Sequence, residues 1–87
     1  MTFHLPAPWD HIARSAQVLG DFNDWSTDSY AMNRLKHGGF SLTLALETNR
    51  EYEFRYLLDG NLWLNEADAD GTVPAHYGES VNSKIIL

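Results

Sequence analysis

The chain has 87 residues, a formal net charge of −6 and no cysteine. That length supports one domain, residues 1–87, and a domain this small buries only roughly 60–65% of the surface its unfolded chain exposes, which leaves little material for a deep catalytic cleft. Sparse, scattered Lys and Arg make nucleic acid and anionic membrane poor partners by simple repulsion, and the missing thiols exclude a disulfide framework and a thiolate zinc site.

Taken in order, Met1-Thr2-Phe3-His4-Leu5-Pro6 lacks the basic patch and apolar run of a secretory signal. No later segment approaches a membrane span. With the absence of cysteine, this points to the cytoplasm. Pro6 and Pro8 bracket an early loop, and Trp9 beyond it is expected to cover an edge of the fold. Residues Ile12 to Leu19 have some helical propensity. Gly20 and the alternation of Ala16, Val18 and Phe22 favour a strand instead. Gly38-Gly39 signals a turn, and Phe40 to Leu46 alternates as a half-buried strand does. In the next strand Tyr52, Phe54, Tyr56 and Leu58 point inward, while Glu51, Glu53, Arg55 and Leu57 point outward. Asp59-Gly60 turns the chain into a short strand from Leu62 to Leu64, making a hairpin. Glu66 to Tyr77 reads as a loop, and Val81 to Leu87 as the last strand. Several short strands separated by turn residues predict an all-β sandwich of about seven strands.

The most informative stretch is Gly20-Asp21-Phe22-Asn23-Asp24-Trp25. Trp63 follows the Asp59-Gly60 turn, so two indoles stand beside turns. Indoles are broad, rigid and apolar, and exposed ones mean contact with something flat. Chemistry is harder to find. Glycosidases need two carboxylates in a cleft that gives them different pKa values, and Glu51 and Glu53 lie on an open strand face. There is no Ser-His-Asp order, phosphate loop or nucleophile elbow. The run Glu66-x-Asp68-x-Asp70-Gly71 resembles the first half of a calcium loop. Tyr77 replaces the bidentate Glu due at its end, and Pro74 blocks the exiting helix. His4, His11, His37 and His76 lack the paired spacing of a metal site. No cofactor or metal is expected, and no catalysis.

The motif Gly20 to Trp25 is followed by Glu51 to Gly60, then Trp63, then Tyr77-Gly78 and Val81-Asn82-Ser83. In that order and spacing, the chain resembles family-48 carbohydrate-binding modules, the isoamylase N-terminal or early set domains. It is similar also to the glycogen-binding domain of the AMP-activated kinase β-subunit, which has Lys where Arg55 stands. The resemblance covers nearly the whole chain. It implies an immunoglobulin-like β-sandwich that binds α-1,4-glucans such as glycogen, starch and maltooligosaccharides without catalysis. It also implies sugar contacts at Trp25, Arg55, Trp63, Tyr77 and Asn82.

Physical chemistry agrees with that assignment. An indole laid on the C–H face of a glucose ring expels water from both, and ~100 Å² of apolar burial is worth roughly 2–3 kcal/mol. Two stacks, less the cost of immobilising the sugar, give a Kd on the order of 10 μM to 1 mM. Arg55 offers donors, and Asn82 offers a donor and an acceptor, for vicinal hydroxyls. Each residue also has a plainer reading. Trp25 would plug the end of the sandwich, Arg55 would pair with Glu51 or Glu53, and Asn82 would cap a turn. A second function fits the same surface: a protein-interaction module or homodimer using the aromatic face or an edge strand.

Overall fold

Along the described residues the chain forms β1 (Thr2–Leu5), α1 (Trp9–Ile12), β2 (Ala16–Gly20), a 3-10 turn (Asp21–Asn23), β3 (Asn33–Arg34), β4 (Phe40–Thr43), β5 (Glu51–Leu58), β6 (Leu62–Leu64), β7 (Gly71–Pro74) and β8 (Val81–Ile86). This computed structural model describes every residue except 27–29, 68 and 75–80. Tyr77, the contact expected in the late loop, lies outside the described residues, as does Asp68.

Two antiparallel sheets face each other. The smaller runs β1-β4-β3 and the larger β2-β5-β8-β7, with β6 also on β5. Strand β2 lines one edge of β5 from Phe54 to Leu58. Strand β6 pairs with Tyr56 to Leu58, so it must occupy the other edge, where β8, paired with β5 up to Phe54, leaves off. The junction is sealed by side chains. Ser83 Oγ accepts from the Glu66 backbone N–H at 2.8 Å and donates to Asn65 Oδ1 at 2.8 Å, and Asn65 Nδ2 donates to the Val81 carbonyl at 3.0 Å.

The core lies between the sheets. Tyr52, Phe54, Tyr56 and Leu58 are all buried there, as their alternation predicts, against Phe3 and Leu5 of β1 and Phe40 of β4. Phe3 and Tyr56 both meet the Phe54 ring edge-on, with centroids 5.0 and 5.7 Å away. Trp9 and Phe22 are partly buried and pack on this cluster. Asp59 and Gly60, with φ of 52° and 73°, take the left-handed conformations that the hairpin requires. Asp59 Oδ1 also accepts from the backbone N–H groups of Arg14 (2.8 Å) and Ser15 (3.0 Å), tying the hairpin to the entry of β2.

The structure corrects the sequence reading in several places. Leu57 is 3% exposed although it stands on the outer face, because β2 and β6 flank it with Gln17 and Trp63. Strand β2 stops at Gly20, and Phe22 sits on the 3-10 turn. Part of the expected late loop is β7, an edge strand in which Pro74 is tolerated. Strands β1 and β3 and helix α1 are additional. Asp70, read as part of a calcium-like run, accepts the Ile86 backbone N–H at 2.7 Å and so anchors β8. Among the described residues no helix is long and apolar enough to cross a membrane.

Candidate functional site

The corner that carries Trp25 is built almost wholly from its own motif. Gly20 runs so close to β5 that a β-carbon there would overlap the Glu53 carbonyl oxygen and lie 2.9 Å from Phe54 Cβ. Its backbone is extended, so space rather than φ demands glycine. Asn23 closes the turn on itself: its Oδ1 accepts from Gly20 N–H and its Nδ2 donates to the Val18 carbonyl, both at 3.0 Å. Asp21 faces two donors. Its Oδ2 accepts the Glu53 backbone N–H at 2.8 Å, and its Oδ1 accepts the Trp25 indole N–H at 3.4 Å. Asp24 and Trp25 are both left-handed, with φ of 53° and 57°. For a residue as bulky as Trp that conformation costs about 1–3 kcal/mol, a strain typical of functional sites. Trp25 is half-buried, so it is not a core plug.

Trp63 is placed differently. It sits mid-strand on β6, directly opposite Leu57, and is 44% exposed. The Arg55 guanidinium lies over its ring, 5.2 Å from the centroid. Such stacking of a cation on an indole is worth roughly 0.5–1 kcal/mol at a solvent-facing position. Among the described residues Arg55 forms no ion pair with Glu51 or Glu53, the pairing that would have explained it structurally. Leu19, fully buried, stands across from Arg55 on β2. Leu19 therefore lends apolar surface to this face beside Arg55.

The β5–β8 register pairs Phe54 with Ser83, so Arg55 and Asn82 are the next neighbours on the outer face. Asn82 is 7% exposed. Its Nδ2 donates to Glu53 Oε1 at 3.1 Å, across the sheet rather than to a turn. Asn82 Oδ1 and Arg55 Nε are both buried and have no hydrogen-bond partner. A buried donor or acceptor left unmet costs about 1–3 kcal/mol. Here one donor and one acceptor are unmet on residues that the register makes neighbours, the complement of a hydroxyl, which both donates and accepts. Both atoms are covered in this arrangement.

The fold thus brings Trp63, Arg55 and Asn82 onto one face, where β6 and β8 meet beside β5. Trp25 joins β5 from the opposite edge, through Asp21. Sequence reading missed the parts played by Asp21, Glu53 and Leu57. Asp21 lies inside the motif, and its acidic side chain before an aromatic turn was the available signal. The other two depend on strand register.

Residues 6–69 match carbohydrate-binding module 48, the isoamylase N-terminal domain. The chain belongs to this family. The match takes in Trp25, Arg55 and Trp63, while Asn82 and Tyr77 lie beyond it. The chain is similar to part of a larger enzyme. It is 28% identical over 68 residues to the 1,4-alpha-glucan-branching enzyme, chloroplastic/amyloplastic, of Oryza sativa subsp. japonica. That alignment covers 70% of this chain and 8% of the rice enzyme.

Proposed function

We propose that this module binds α-1,4-glucans without catalysis, in the manner of glycogen, starch or maltooligosaccharide recognition. The observation that carries the reading is Trp63, exposed beside an unmet donor on Arg55 and an unmet acceptor on Asn82. The indole face away from the guanidinium receives a glucose C–H face. A hydroxyl of the same or the next sugar then bridges Arg55 and Asn82. Trp25, held in a strained corner, offers the second stacking ring, and Tyr77 is a further contact from the late loop. Membership of carbohydrate-binding module 48 supports a sugar ligand, and the rice relative is named for a 1,4-α-glucan.

On this reading the module holds the sugar and does no chemistry on it. Glu53, a carboxylate beside the patch, is engaged by Asn82 on a sheet face. It is not one of a matched pair across a cleft. Affinity for a short oligosaccharide is then weak, with a Kd on the order of 10 μM to 1 mM, and a polymer compensates by offering many sites. The test is affinity electrophoresis through gels containing glycogen. The wild-type protein is expected to be retarded, and the double variant Trp25→Ala with Trp63→Ala to run as in a glycogen-free gel while keeping its fold. Equal mobility of wild type with and without glycogen would exclude the reading and favour a protein partner or homodimer on this face.

A further inference from the structure

Four residues form one chain of hydrogen bonds across the larger sheet. The Trp25 indole N–H donates to Asp21 Oδ1 (3.4 Å), and Asp21 Oδ2 accepts the Glu53 backbone N–H (2.8 Å). Glu53 Oε1 in turn accepts Asn82 Nδ2 (3.1 Å). The two ends are sugar contacts in the reading above, and they come from a turn after β2 and from β8. Both are tied to the same residue of β5, which lies between them. We infer that Asp21 and Glu53 are positioning residues for glucan binding: Asp21 sets the attitude of the Trp25 ring, and Glu53 sets which end of the Asn82 amide meets the ligand. The inference rests on the glucan-binding reading and deepens it.

The chemistry at each joint requires a carboxylate. Asp21 meets two N–H donors, and a carboxylate has an acceptor oxygen for each. An asparagine of the same shape has one acceptor and would turn an NH2 group against the other donor. At Glu53 the argument concerns sense rather than number. An ionised carboxylate only accepts, so it selects the NH2 end of Asn82 and leaves Oδ1 as the end without a partner. A glutamine of the same shape accepts or donates equally well, and it would allow the Asn82 amide to flip. With the amide flipped, Arg55 Nε–H and Asn82 Nδ2 are two donors, and the hydroxyl's own O–H is left without an acceptor. Glu53 thereby makes the site acceptor-plus-donor without touching sugar.

The test uses two isosteric variants, Asp21→Asn and Glu53→Gln, with two readouts. The first is the side-chain NMR spectrum without sugar. In Asp21→Asn the Trp25 indole N–H signal is expected to move and that of Trp63 to stay. In Glu53→Gln the Asn82 NH2 pair is expected to move and both indoles to stay. The second is maltoheptaose affinity, expected to fall roughly threefold to tenfold in each variant, the worth of one net hydrogen bond, with little change in Tm for Glu53→Gln. Should Asp21→Asn fail to fold, Glu53→Gln, on the outer face, carries the test alone. Wild type that binds maltoheptaose while a folded variant binds equally well overturns the positioning roles and leaves glucan binding intact. Wild type that does not bind overturns the functional reading, and the positioning roles with it.

Discussion

The two faces of β5 are built to different rules. On the inner face Tyr52, Phe54, Tyr56 and Leu58 are closed within an aromatic core. On the outer face a buried leucine sits beside an arginine stacked on an exposed indole, and a buried donor on Arg55 and a buried acceptor on Asn82 are left unmet. The inner face has what stability asks for, apolar area in dense contact. The outer face keeps polar groups unmet and a large apolar ring in water, which stability alone would not retain. One strand therefore serves both ends: its inward residues hold the sheets together, and its outward residues carry the candidate site.

The comparison breaks if changes on the inner face act on binding, or changes on the outer face act mainly on folding. The largest effect is expected from Phe54→Ala, which empties the centre of the inner face. Such a truncation costs about 3–5 kcal/mol. Thermal or urea unfolding should show that loss, while glucan affinity per folded molecule stays near wild type. Next comes Trp63→Ala on the outer face. Losing one stack should weaken maltoheptaose binding by roughly 2–3 kcal/mol, read by calorimetry or gel retardation. Tm should change little, since the ring is 44% exposed.

The smallest effect sharpens the inner face. Burial, with the Glu66 carboxylate nearby, pushes the Tyr56 phenol well above its ordinary value of 10.0. A raised folded-state value means that Tyr56 contributes stability in full below pH 10, and that this contribution fades as pH rises beyond it. The stability of wild type relative to Tyr56→Phe should therefore fall by about 1 kcal/mol between pH 9 and pH 11. Urea unfolding of both proteins across that range checks it, and a constant gap would place the phenol in contact with water.

This contrast also explains what was legible in the sequence. The inner face follows a strict two-residue period, so β5 and its core residues could be read directly, as could β4 and the Asp59-Gly60 hairpin. The corner from Gly20 to Trp25 was legible because its hydrogen bonds are largely local. Leu57 was misread because its burial comes from β6 and β2 closing around it. Asp21 and Glu53 look like solvated acids in sequence, yet the Glu53 N–H that Asp21 accepts and the Asn82 amide that Glu53 accepts lie 32 and 29 residues away and depend on strand register. Strands β1, β3 and β7 were hidden for another reason. They are edge strands, two to four residues long, and β7 carries a glycine and a proline at its ends.

Nitrogen–proton correlation spectra recorded while maltoheptaose is added put the central claim to its most direct test, because each of the three indoles reports separately. The account predicts that the Trp25 and Trp63 signals move together with one millimolar-or-tighter dissociation constant, while Trp9, packed on the core, stays in place. Indole signals that do not move at millimolar sugar, or a response confined to Trp9, would contradict it.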